Sequence, residues 1–323
     1  MSTAPNPPEG SRDARDEPGR QQQPPRGSIF AVPAPIKRLF DKFPLRTYPA
    51  NELPLRAPRH RDENVLYVFT TDEGVRNGAP SFNPSCLKWQ TYLKFSGIQF
   101  RTEASSNHAS PSGALPFLLP AVTTGDTTKA VPRVPSAKLQ RWCMSNSPSS
   151  IEEPGDLRYE AYLSLLDHRI RRAWLYTVYL SPHNFPSLAE PLYILPTSSS
   201  AFVRLTTAHT LRRAAEAELL KFSAVINVER LYKDADEAFD ALEMLLGQNT
   251  WFFGAERPGL FDASVFAYSH LLLDEGLGKG WVDTRLRDMV IRRTGLVMHR
   301  ERILREYFQA SPSSYELSGE QDA

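Results

Sequence analysis

The chain has 323 residues, 38 basic against 37 acidic, and 41% of them are hydrophobic. That allows one large or two ordinary domains with a real core, and the even charge balance gives no global field pointing to nucleic acid. Two cysteines, Cys86 and Cys143, exclude a disulfide scaffold and fit a reducing compartment.

The N-terminal stretch MSTAPNPPEGSRDARDEPGR carries acids and no apolar core, so neither a signal nor a transit peptide is expected. No apolar run approaches the ~20 residues of a spanning helix, so membrane association is expected to be peripheral. Residues 1–28 and 311–323 are too polar to offset their ordering entropy and are expected to be disordered. Residues 29–62 form a proline-rich arm. Within it, PIKRLFDKF places Pro35 at a first helical position and Ile36, Leu39, Phe40 and Phe43 on one face. This short amphipathic helix either packs back on the body or presents those residues to a partner groove or a membrane surface.

ENVLYVFT (63–70) is a continuous apolar run and predicts a buried strand. A loop rich in Gly, Asn and Pro is expected over 71–84. In NPSCLKWQTYLKFSG (83–97), Leu87, Gln90, Leu93 and Lys94 recur at helical spacing and Gly97 supplies the stop. IQFRTEA (98–104) alternates as a strand does, and PFLL (116–119) is a third, short strand. Three prolines weaken a further strand within 120–135, and Ser136 is expected to cap a helix over AKLQRWCM. A β-α-β unit followed by a proline-initiated strand is the opening of a thioredoxin-like α/β domain, here 63–144. The Leu115–Pro116 peptide is read as cis, with an ordinary trans proline at a strand start as the alternative.

A Ser/Pro/Glu/Gly linker leads into an all-helical domain over 157–310. Tyr159, Leu163, Leu166, Ile170 and Trp174 form its first stripe, and further helices are expected over 201–231, 234–247, 260–274 and 283–309.

No motif brings catalytic chemistry. Cys86 opens the first long helix, where a dipole lowers a thiol pKa and a redox role is conceivable. It has no second cysteine nearby, and a buried structural residue is the plainer reading. Asp262, three residues after Gly259, can accept the N–H of the capping residue; glycine has no side chain to answer, so half a capping box is expected, worth roughly 1 kcal/mol. The last helix, RLRDMVIRRTGLVMHRERILRE, is a solvated face or, on the sharper reading, a site for an acidic partner or lipid headgroups. The histidines lack metal-ligand spacing. No catalytic, cofactor or metal residue is assigned.

Asn83, Ser85, Cys86, Leu87, Gln90, Leu93 and Lys94, the run Ser110-Pro111-Ser112-Gly113 before Pro116-Phe117, and Leu246-Gly247, Phe252-Phe253, Asp262-Ala263 and Val265-Phe266 resemble the metaxin family. The pattern is most like its fungal branch, the metaxin-like receptor subunit of the mitochondrial sorting and assembly machinery (SAM complex). The likeness spans roughly 63–309 and leaves out the arm and 120–135. It implies an α+β, glutathione-transferase-like fold: a thioredoxin-like N-terminal domain followed by an all-helical C-terminal one, without established catalysis. It further implies a peripheral subunit on the cytosolic face of the mitochondrial outer membrane. The implied partners are the central β-barrel subunit, a second metaxin-like subunit and β-barrel precursors bearing a C-terminal β-signal. That extended segment could pair by strand addition at the Leu115 edge, with Pro116 structural. A true glutathione transferase would need an acidic–Ser turn after the fourth strand; Val134-Pro135-Ser136 supplies no acid. A soluble scaffold domain is the third reading.

Overall fold

The computed structural model describes Arg38 and residues 62–122, 132–148, 155–221 and 223–308. The expected tails and the anchor positions Ile36, Leu39, Phe40 and Phe43 lie outside the described residues.

Four strands form one sheet in the order β2-β1-β3-β4. Strand β1 (Asn64–Val68) runs parallel to β2 (Phe100–Ala104), whereas β3 (Phe117–Leu119) and β4 (Val134–Pro135) are antiparallel to their neighbours. Register places Leu66 opposite Thr102 on one side and Leu118 on the other. The Leu115–Pro116 peptide is cis.

A short helix, α1 (Asp72–Asn77), replaces the loop expected after β1. Its cap is local: the Thr71 hydroxyl accepts from the Gly74 N–H at 3.0 Å and Gly78, at φ 62°, reverses the chain. The crossover helix α2 (Pro84–Phe95) has Pro84 in its first turn, Asn83 as its cap and Gly97 at φ 67° just beyond its end. It is buried on nearly every side. The next helix, α3 (Ser136–Asn146), corrects the Ser136 expectation. Ser136 is its first residue, and Pro135 precedes it without a side-chain cap.

The C-terminal half begins with a continuous helix over 159–180, α4, containing two wide i→i+5 stretches. The same winding runs through α5 (Phe185–Ile194), where Pro186 and Pro191 have no N–H to give a tighter ladder. Helices α6 (Ala201–Leu220) and α7 (Val228–Leu246) divide earlier than expected. The second starts where Asn227 accepts from the Arg230 N–H at 3.0 Å. Then come α8 (Leu260–Leu273), the single turn α9 (Glu275–Gly278), α10 (Arg285–Ile291) and α11 (Thr294–Ile303), which continues as a wide turn over Leu304–Phe308.

The single helix expected over 283–309 is therefore broken at Arg292–Arg293. Arg293 leaves helical backbone (φ −108°, ψ 88°), and its guanidinium reaches α7, meeting Asp236 at 2.7 Å and Asp240 at 2.6 Å. Thr294 and Gly295, poor helix formers, follow it.

Both halves contribute to one buried cluster, which includes Leu66, Leu87 and Leu118 from the first and Phe239, Phe266 and Leu296 from the second. Helix α2 packs on α8, joining the sheet layer to the helical one.

Candidate functional site

A cleft of 220 Å³ opens where the start of α2 meets α4 and α8. Asn83, Ser85 and Lys88 form one wall; Asp167, Arg171, Trp174, Tyr179 and Tyr268 form the other. Here a side chain at the start of α2 could meet a ligand, so the state of the groups around the cleft decides what it can do.

The helix N-terminus is already satisfied. The Asn83 side-chain oxygen Oδ1 accepts from the Ser85 and Cys86 N–H groups at 3.1 and 3.2 Å, which leaves little of the dipole end for an anion. Its amide donates to the Tyr193 hydroxyl at 3.2 Å, and that hydroxyl donates to the Phe82 carbonyl. Phe69, Phe82 and Tyr179 pack around the Tyr193 ring at 5.2, 5.3 and 5.7 Å between centroids. An aromatic plug thus fills the turn before α2.

Cys86 is fully buried beneath this plug. Burial pushes its thiol up to about 12, against the smaller opposing pull of hydrogen bonds from Phe69 and Ser81. At neutral pH it is a thiol, not a thiolate nucleophile. Cys143 is likewise buried and pushed up to about 12 by the same cause. The other hydroxyls near the turn are committed. Thr71 caps α1, and Ser81 donates to the Phe69 carbonyl at 2.5 Å. Gln90, buried in α2, holds the loop by donating to Ala79 and accepting from Ser81. Burial also raises the phenols of Tyr179, to about 12, and Tyr268, and lowers the Lys88 ammonium against the nearby Asp167 charge. Ser85, in the first turn of α2, lines the cleft. The arrangement can hold a small molecule, but none of these groups is poised to attack one.

Leu115 is not the open edge that the sequence suggested. Its side chain is buried, and its N–H donates to the Asn107 side-chain oxygen at 2.9 Å. The preceding Ala114 carbonyl accepts from the Ser110 hydroxyl at 2.6 Å. Strand β3, which follows, is paired on both sides; the outer strands are β2 and β4.

Asp262 does accept the Gly259 N–H, at 3.0 Å. It does more than half a capping box, because its other oxygen accepts from the Phe252 N–H at 3.1 Å and contacts His299 Nε2 at 2.9 Å. Both side chains are buried. The carboxylate ties α8 to the preceding loop and to α11. His299, 37 residues away, carried no local signal in the sequence.

The arginines of α10 and α11 are largely used within the molecule. Arg285 pairs with Asp283 and Glu229, Arg292 and Arg293 with α7, and Arg302 donates to the Thr250 carbonyl. This answers the charge of Arg285, Arg292 and Arg293, part of what an acidic partner or lipid headgroups would read there. Among the described residues no helix is long and apolar enough to cross a membrane.

Comparison with known proteins gives three family models. The glutathione S-transferase N-terminal domain matches residues 84–184, and the glutathione S-transferase C-terminal domain matches 235–303. A third model, SAM35, a subunit of the SAM complex, matches 30–86. It takes in much of the proline-rich arm, which the metaxin resemblance had left out. Metaxin-3 of Xenopus laevis is 25% identical over 252 residues, 76% of this chain and 78% of that protein. Metaxin-1 of Homo sapiens is 25% identical over 66% of this chain but only 46% of its own length. An Arabidopsis thaliana relative, the mitochondrial outer membrane import complex protein METAXIN, is 25% identical over 73% of this chain and 71% of its own. Among solved structures, glutathione S-transferase III in apo form is 16% identical, covering 76% of this chain and 94% of that chain at a TM-score of 0.43. The fold is glutathione-transferase-like, as the two domain models and the mixed sheet with its helical second half require, and relatives at about 25% identity along most of the chain, with the SAM35 match, support the metaxin family.

Proposed function

We propose that this chain is a non-catalytic, peripheral subunit of the sorting and assembly machinery of the mitochondrial outer membrane, sited on its cytosolic face, which receives β-barrel precursors and aids their insertion. The match of residues 30–86 to the SAM35 model carries the reading, and the METAXIN relative named for an outer-membrane import complex supports it. The site geometry argues against catalysis, since the one cysteine at the helix start is buried and protonated. The partners proposed are the central β-barrel subunit and a second metaxin-like subunit, with Ile36, Leu39, Phe40 and Phe43 of the arm as contact residues.

Purification of the tagged chain from mitochondria in mild detergent, with mass identification of what accompanies it, tests this. An outer-membrane β-barrel subunit at comparable amount is the expected companion. Translation components in its place would support a scaffold domain instead.

For the precursor's extended β-signal, the edge strand β2 is the better docking strand, because the Leu115 amide is occupied by Asn107. A photoreactive β-signal peptide is expected to label the Arg101–Glu103 stretch. Labelling confined to residues 112–115 would restore the Leu115 route.

A further inference from the structure

Leu195, Phe202, Val203 and Leu205 are 46, 60, 41 and 68% exposed. They lie together on the loop before α6 and on the first turns of that helix. Helix α6 packs inward through Ala208, Leu211, Ala215 and Leu219, and Val203 and Leu205 near its start are exposed. Single exposed apolar residues need no explanation, but a group of them in one segment does.

The charge pattern of the same segment says what should cover it. Between Glu190 and Glu216 the sequence has no Asp or Glu, but it has Arg204, Arg212 and Arg213. The Arg204 guanidinium donates to the Ser198 carbonyl at 2.6 Å and to that of Leu195, bracing the loop against the helix without meeting a carboxylate. Arg213 is exposed and has no carboxylate partner among the described residues. Arg285, Arg292 and Arg293, by contrast, are answered by the molecule's own acids. Uncharged hydroxyls, Thr197 to Ser200 with Thr206, Thr207 and Thr210, are also present in the segment. Neither the α2–α4–α8 cleft nor the groove beside Met244 and Phe253 includes any of these residues.

An exposed apolar segment that carries hydroxyls and the cations Arg204 and Arg213, and no acids, matches a negatively charged bilayer surface. We propose that the loop over 195–200 and the first turns of α6 seat the protein on anionic lipid. Leu195, Val203 and Leu205 enter the boundary between headgroups and acyl chains, and Arg204 and Arg213 face the phosphates. The proposal stands on the exposure and charge of this segment and not on membership of the assembly machinery, so either can fail alone.

Flotation of the full chain with vesicles tests it. The protein should float with equal parts phosphatidylcholine and phosphatidylglycerol, and less with phosphatidylcholine alone or in high salt. Val203→Glu with Leu205→Glu should reduce binding by about tenfold, since both the apolar area and the charge sign are reversed. Met244→Glu, at a position 78% exposed on α7, should leave it unchanged. Arg213→Glu should weaken binding and flatten its salt dependence; it changes no core residue and guards against misfolding of the double variant. A wild-type chain that stays at the bottom overturns the proposal, as does a double variant that floats as well as wild type, or a loss with Met244→Glu as large as with the double variant. A concentration-dependent dimer without vesicles, dissolved by the double variant, would assign this face to a second copy and also overturn it.

Discussion

At the scale of single residues, two buried groups define what the molecule does and does not do. Cys86 occupies the helix start from which a thiolate would act, yet burial holds it as a thiol near 12. Its alkylation by iodoacetamide at pH 8 should follow global unfolding and vanish under native conditions, with Cys143 behaving alike. Rapid native modification at Cys86 would show a reachable thiolate. Asp262 is the opposite case, a carboxylate whose three buried donors make it costly to lose. Asp262→Ala should destabilise the fold by on the order of 3–5 kcal/mol in denaturant titration, because Phe252, Gly259 and His299 are left without an acceptor. A loss near 1 kcal/mol would mean that the local half-cap is all it supplies. The half-cap was legible from the spacing of Gly259 and Asp262. The His299 contact was not, since periodicity reports only neighbours along one helix.

At the scale of elements, Glu243 shows how one helix caps another. Its carboxylate, on α7, accepts from the Gly295 and Leu296 N–H groups at 2.9 and 3.0 Å, closing the N-terminus of α11. Glu243→Ala should cost about 1–2 kcal/mol and speed amide exchange at Gly295 and Leu296 while α8 keeps its protection; unchanged exchange there would dismiss the cap. The same contact explains why the sequence misled over 283–309. Apolar spacing runs on through Arg292–Thr294, and the break is made by Asp236, Asp240 and Glu243 on α7, which no local pattern reveals. Elements whose signals are local were readable: β1 from its apolar run, α2 from Asn83, Pro84 and Gly97. Strand β4 is only two residues long, Val134 and Pro135, as the prolines of 120–135 foreshadowed.

At the scale of the whole molecule, the two halves share one core, with α2 seated against α8. Fluorescence of Trp89, in the first half, and Trp281, in the second, each kept as the only tryptophan, should therefore report one coincident unfolding transition. Separate midpoints would mean independent domains. The glutathione-transferase-like plan was visible in the order of elements, but the fate of its ligand site was not. Sequence showed only that no acid precedes Ser136; the Tyr193 plug and the occupied Leu115 amide come from contacts between distant segments. What results is a glutathione-transferase-like framework whose two thiols are buried and protonated.

The most direct test is calorimetric titration of the intact chain with glutathione. No saturable heat is expected up to millimolar ligand. Stoichiometric binding at micromolar concentration, lost when Ser85 and Lys88 in the cleft are replaced, would contradict the account.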